Sequence, residues 1–302
     1  MKILVSGGSG VIGSHLIPML VARQYEVVNL TTNAALTGTS QPLVKHVYWN
    51  PQASELDRDV MKSCDAVVNF AGFSLTNRWT DENKRLMFDS RLQSTKLLCE
   101  AVCAMQKPPS IFISASAAGY YEPTAQAVDE AQPAGRHFLS QLCVAWEQAV
   151  QVPHDVRTVF MRTALVLSKQ GGAIDKMLPF FKLGLGAPVG HGWQPVSWIH
   201  VYDVCNFILH TLENQNVKGP YNIASPDVVS NKTFSAALAR ALRRPFFLPP
   251  VPAFVLRILF GEMSQLVLQP QNLNTLKLQQ SEFRLKYTKL EDAFAQLYPK
   301  QP

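Results

Sequence analysis

Concentrated charge is the first thing this 302-residue sequence lacks: 28 Lys and Arg stand against 22 Asp and Glu, a net charge of +6, with no block of five like charges. The densest basic group, Arg240, Arg243 and Arg244, has the spacing of a solvated helix face, so no nucleic-acid partner is expected. Paired cysteines are missing as well. Cys64, Cys99, Cys103, Cys143 and Cys205 are odd in number and form no C-x-x-C pair, which reads as reduced, mostly buried thiols in a chain too long to need staples. The seven histidines make no H-E-x-x-H or comparable cluster, so no metal is expected. No stretch approaches the roughly eighteen uncharged apolar residues of a membrane span; the best run, Pro252 to Phe260, is interrupted by Arg257. Nor is there a signal-peptide pattern before the strand-like opening Lys2-Ile-Leu-Val-Ser6. The expectation is a soluble cytoplasmic protein without a membrane partner.

What is present is alternation. Short β-branched runs at Ile3–Ser6, Val27–Thr31, Ala66–Phe70, Ser110–Ser114 and Thr158–Met161 are separated by stretches of helical period, notably Ser14–Arg23, Thr80–Met105 and Phe138–Val150. That order predicts an α/β protein of Rossmann type, a doubly wound parallel sheet with helices on both faces. The near-continuous apolar run of residues 66–70 suits a strand buried on both sides. Past residue 165 the texture changes, with frequent Gly and Pro through Gly171 to Gly192 and a Pro-punctuated helical tail from Asn231. We therefore expect a dinucleotide-binding domain over 1–165. A smaller, mostly helical substrate region covers 166–302, with a segment of about 195–225 returning to the first domain.

The segment Val5-Ser6-Gly7-Gly8-Ser9-Gly10-Val11-Ile12-Gly13 carries G-x-G-x-x-G directly after a strand and at the start of a helix. Glycines there permit a tight turn, close approach of a diphosphate to bare backbone, and close helix–strand packing, while the first N–H groups of the helix receive the phosphates. Gly7, Gly8, Ser9, Gly10, Val11, Ile12 and Gly13 are accordingly expected to hold a dinucleotide. An acidic side chain at the end of the second strand would take the ribose 2′-hydroxyl of NAD, but no Asp or Glu occurs from Val27 through Ser54. A carboxylate there would repel a 2′-phosphate, whereas Thr31, Thr32 and Asn33 can donate hydrogen bonds to one, with Lys45 as a nearby source of charge. NADP(H) is expected in preference to NAD(H).

Further motifs carry a resemblance. Asn69-Phe-Ala-Gly72, Ser114-Ala-Ser116-Ala-Ala-Gly-Tyr120, Trp198-Ile-His-Val-Tyr-Asp203 and Gly219-Pro-Tyr-Asn222 follow the glycine loop in the order found in extended short-chain dehydrogenase/reductases of the nucleotide-sugar epimerase/dehydratase kind. More narrowly, Trp79, Ser90-Arg91, Ala117-Ala-Gly-Tyr-Tyr121, Trp146-Glu147 and Leu183-Gly-Leu-Gly186 resemble an atypical branch, the epimerase-like family that includes bacterial YfcH-type proteins and has an uncharacterised C-terminal domain. The resemblance implies nicotinamide cofactor binding and supplies no substrate. It also exposes a departure. The wider superfamily uses Tyr-x-x-x-Lys, the lysine lowering the tyrosine pKa, yet none of the eight tyrosines has Lys four residues later. Aligned on Glu147, Leu139 takes the tyrosine position and Cys143 the lysine position.

What remains for catalysis is Ser116, matching the superfamily serine that hydrogen-bonds the substrate oxygen, the phenols of Tyr120 and Tyr121 just after it, and His137 at the start of the helix that would carry the missing pair. Arg91 and Arg162 are expected at the cofactor or substrate, and Phe70, Ala71 and Gly72 beside the adenosine. His200 and Asp203 read as residues that stitch the second region to the sheet. Trp79, Trp146, Trp193 and Trp198 read as core or cleft wall. Three functions stay open: an oxidoreductase or epimerase acting on a small molecule, such as a nucleotide sugar or carbonyl compound, with a rearranged proton relay; a catalytically inactive dinucleotide-binding or redox-sensing protein; and an interaction scaffold. A monomer or a homodimer is compatible with each, the dimer being implied by the resemblance.

Overall fold

The computed structural model describes residues 1–37 and 40–299; the last three residues of the expected second region lie outside them. Seven parallel strands form the central sheet: β1 (Lys2–Ser6), β2 (Glu26–Thr31), β3 (Val44–Asn50), β4 (Ala66–Asn69), β5 (Ile111–Ala117), β6 (Arg157–Thr163) and β7 (Gly219–Ile223). Their order is β7-β6-β5-β4-β1-β2-β3, and two-residue strands at Ser40–Gln41 and Glu55–Leu56 pair antiparallel with β3. The chain winds outward in one direction from β1 through β3 and in the other from β4 through β7. The reversal between β1 and β4 opens a crevice at the carboxyl ends of these strands, where open α/β sheets bind ligands.

Both faces are covered. On one side α1 (Val11–Ala22) packs against α5 (Val201–Glu213), and Ile3, Val5, Val68, Ile113 and Met161 interlock with Leu16, Leu20, Val204 and Phe207. On the other, Leu4, Val28, Val67 and Phe112 meet Leu97, Leu98 and Val102 of α2 (Asp81–Cys103), which in turn contacts α3 (Phe138–Gln148). Alternate residues of each central strand thus bury on opposite faces, the reason these runs are apolar throughout.

The five expected strands and three expected helices are all present. β3, Val-Lys-His-Val-Tyr-Trp-Asn, escapes the sequence reading because its apolar residues Val44, Val47 and Trp49 do not alternate regularly with polar ones. α1 starts at Val11, directly on the glycine loop and three residues earlier than its amphipathic pattern suggests.

Past β6 the chain forms a third core around Leu178 and Phe181 of α4 (Gly172–Lys182), Phe234 and Leu238 of the helix Asn231–Ala241, and Leu290 and Phe294 of the helix Leu290–Leu297. Two buried side chains fasten this region to the sheet. Asp203, at the head of α5, accepts the backbone N–H groups of Lys286 and Tyr287 at 2.7 and 3.0 Å. His200 caps α5 through the Tyr202 N–H and meets Gln296 Oε1 at 2.9 Å. Of the four tryptophans read as core or cleft wall, Trp79, Trp146 and Trp198 are buried. Trp193 is the exception, 70% exposed in a glycine-rich turn, with Lys232 Nζ 5.5 Å from its ring centroid.

Candidate active site

Ser6 ends β1 and Asn69 ends β4, and their side chains bridge the switch point: Ser6 Oγ donates to Asn69 Oδ1 at 2.6 Å, and Asn69 Nδ2 donates to Thr95 Oγ1 at 2.8 Å. Above this bridge runs the glycine loop. Gly7 has φ +73°, and a Cβ there would fall 2.7 Å from the Phe70 carbonyl; one on Gly13 would fall 2.5 Å from the Gly7 oxygen. Only a bare backbone fits. Gly10 precedes α1 with no side-chain cap, and the first turn of α1 holds no acidic residue. The helix therefore presents N–H groups and the positive end of its dipole at the crevice, a cradle with the shape and charge for a dinucleotide diphosphate.

At the end of β2, Thr31 is half-buried and Thr32 and Asn33 are exposed. The Asn33 N–H donates to Thr31 Oγ1, and Asn33 Oδ1 accepts the Ala35 N–H, fixing the turn. Lys45 does not reach this corner. It pairs in register with Val28, three residues before Thr31, about 10 Å back along the strand.

Phe70, Ala71 and Gly72 leave β4 at the edge of the crevice. Beneath Gly72 lies Arg91, 7% exposed, whose Nη1 donates to the carbonyls of Phe73 and Met87 at 2.9 and 3.0 Å. Its guanidinium sits 4.9 Å from the Trp146 ring centroid, and its buried Nε has no hydrogen-bond partner among the described residues. Burial pulls the pKa of Arg91 down to about 10. A buried cation held by two carbonyls and a ring face, with no ion pair among the described residues, is a costly arrangement that an anionic ligand would relieve.

At the end of β5 the side chains form a closed network. Ser116 Oγ donates to Glu147 Oε1 at 2.7 Å, and Arg162 grips the same carboxylate from Nε and Nη2, both at 2.9 Å. Arg162 Nη1 also donates to Tyr121 Oη at 3.0 Å, and that hydroxyl donates to Asn222 Oδ1 at 2.7 Å. The Arg162 guanidinium lies 3.4 Å from the centroid of the Tyr120 ring. Burial pulls Arg162 down, yet Glu147 and Tyr121 together raise its pKa above the usual value. Burial pushes the Tyr121 phenol up to about 12, against the pull of Arg162. The network follows from register: Ser116, Arg162 and Asn222 are direct neighbours across β5, β6 and β7, so their side chains share a face with α3. Arg162 is 4% exposed with all its nitrogens engaged, and the one hydroxyl hydrogen of Ser116 is given to Glu147. The sequence reading missed Asn222 as a member of this set, although its G-x-Y-N context was the signal.

Leu139 and Cys143 are both buried, with Leu139 packed against Gly119 and the Cys143 thiol pushed up to about 12 by burial. His137, two residues before Leu139 at the N-cap of α3, is half-buried. Its Nε2 lies 3.0 Å from the Tyr121 carbonyl, which can only accept, so Nε2 carries a hydrogen. Nδ1 is buried without a partner among the described residues. His137 lines a small cavity together with Gly119, Tyr121, Gln269 and Gln271.

Comparison with known proteins accords with this geometry. The model of the NAD dependent epimerase/dehydratase family matches residues 3–224, and that of a domain of unknown function, DUF1731, matches residues 251–297. An epimerase family protein of Staphylococcus haemolyticus is 34% identical over 98% of each chain, and the human epimerase family protein SDR39U1 is 35% identical over 89% of each. The crystal structure of human SDR39U1 (isoform 2) with NADPH superposes with a TM-score of 0.88 at 32% identity, covering 100% of both chains.

Proposed function

This chain belongs to the NAD dependent epimerase/dehydratase family, and on that basis we propose that it binds NADP(H) in preference to NAD(H) and uses it to transform a small molecule. The carrying observation is the uncapped head of α1 under a glycine turn, next to a β2 end without a carboxylate. The NADPH in the related human structure supports the same choice. In this reading Gly7 to Gly13, Ser9, Val11 and Ile12 included, hold the diphosphate, Thr31, Thr32 and Asn33 receive the 2′-phosphate, and Phe70, Ala71 and Gly72 flank the adenosine. Arg91 supplies positive charge beneath them. When bound, the nicotinamide supplies or accepts a hydride.

Of the expected catalytic groups, His137 lines a small cavity and has a buried ring nitrogen without a hydrogen-bond partner among the described residues, and we assign it the proton at the substrate oxygen. Ser116, Tyr121 and Arg162 act as a brace that keeps α3 and the end of β5 in register, with Tyr120 stacked on Arg162. Titration of nicotinamide fluorescence with NADPH and with NADH tests the cofactor assignment: tighter NADPH binding is expected, and equal or tighter NADH binding overturns it.

A second reading is favoured by the burial of Leu139 and Cys143, which leaves no Tyr-x-x-x-Lys pair. A protein that binds the cofactor and turns nothing over would show NADPH binding without oxidation across a panel of carbonyl compounds and nucleotide sugars.

A further inference from the structure

A strongly apolar cavity lies between α4 and the segment after Val251. Its volume is about 300 Å³, within the range of small-molecule pockets. Met177, Phe181, Val196, Phe234, Leu256 and Met263 make its walls. Among the described residues that line it, Lys176 is the one charged group. The polar groups that border it are largely spent within the protein: Asn231 Oδ1 accepts the Val189 N–H, Ser264 Oγ donates to the Gly261 carbonyl, and Gln269 Nε2 donates to Gln265.

Three of the residues that line this cavity come from segments next to the proposed reaction crevice. Leu165, just past β6, and Thr76, in the loop after β4, both line it. Ala173 lines it too, directly after the Gly171–Gly172 turn, where a Cβ on Gly171 would lie 2.9 Å from the Val11 side chain of the cofactor loop. Gln269 and Gln271 border both this cavity and the one His137 lines.

A nucleotide sugar carries a diphosphate and many hydroxyls, each of which must find a partner when water is removed. A wall of Met, Phe, Val and Leu with one lysine offers almost none. We propose that this pocket receives the apolar tail of the substrate, so that the substrate class is an aliphatic or prenyl-like compound with no more than one anionic group, held near Lys176. The proposal rests on the assignment of the adjoining crevice to the cofactor.

The test uses the full chain with straight-chain alkanoic acids, hexanoate to dodecanoate, displacing 1-anilinonaphthalene-8-sulfonate, with UDP-glucose as the polar competitor. Each added methylene should tighten binding about fourfold until the cavity fills. Ala173→Trp and Leu259→Glu should weaken decanoate binding at least about tenfold, since one adds bulk to the lining and the other puts a charge on it. Leu183→Ser, an exposed apolar position outside the cavity, should not. An affinity flat in chain length, displacement by UDP-glucose, or dye binding lost in Leu183→Ser and kept in Ala173→Trp overturns the proposal. NADPH affinity is measured separately on the same samples. Its absence would defeat the cofactor reading, while the alkanoate series, read without cofactor, still decides the pocket.

Discussion

Arg162 holds Glu147 by two parallel contacts of 2.9 Å, and the same carboxylate takes the hydroxyl of Ser116. A bidentate buried pair of this kind ties helix α3 to the sheet, and its members depend on one another.

Glu147→Gln should therefore leave Arg162 charged and inadequately paired. Removal of one partner of a buried ion pair costs about 3–5 kcal/mol, read as a lower urea midpoint at unchanged slope. Ser116→Ala should cost less, about 1 kcal/mol, because it removes one hydrogen bond and leaves the ion pair intact. Equal losses would mean that the pair does not carry the network.

Gly13→Ala should collapse the diphosphate cradle. The new Cβ meets the Gly7 carbonyl at 2.5 Å, a backbone atom that moves only if the turn opens, and NADPH affinity should fall by at least about tenfold, equivalent to ~1.4 kcal/mol. Unaltered nicotinamide fluorescence on titration would contradict the assignment of the loop.

A carboxylate introduced at the end of β2 should reverse the cofactor preference. Thr32→Asp places negative charge where the 2′-phosphate is assigned. At about 4 Å in water each pair of unit charges repels by ~1 kcal/mol, so a doubly charged phosphate should bind about tenfold or more weakly while NADH gains. Isothermal titration of both cofactors against both proteins measures the change.

His200 predicts a stability loss on the acid side. Burial lowers its pKa to about 4, with the Gln296 bond opposing, from 6.5 for an unfolded histidine. Above pH 6.5 both states are neutral and its contribution is complete. As pH falls from 6.5 to about 4 the unfolded chain takes up a proton that the folded one refuses, so unfolding becomes easier by up to about 3 kcal/mol. His200→Asn, which keeps a capping side chain, should flatten the difference between pH 7 and pH 5 in chemical denaturation.

Much of this architecture was legible in the residues because its causes are local. Strand β1, the glycine turn and α1 follow one another within 22 residues, and each is specified by residue type alone. The missing Tyr-x-x-x-Lys pair was equally visible, since an absence in a fixed spacing needs no coordinates. The brace around Arg162 was not. It joins residues 116, 121, 147, 162 and 222, and only the register of three strands makes them neighbours. The same holds for the apolar cavity, whose lining runs from Thr76 to Gln271 in the sequence, and for Lys45, whose distance from Thr31 is set by pairing between β2 and β3.

The tail completes a core that belongs to the sheet. Leu278 and Phe283 pack into the same cluster as Phe207 and Tyr221, so a chain stopped after residue 250 would bare those aromatics to water and leave the Asp203 carboxylate without the two amides it receives. The portions matched by separate family models thus share one core cluster. Truncation at their boundary should yield an aggregating fragment, and complementation from two co-expressed halves is the way to recover it.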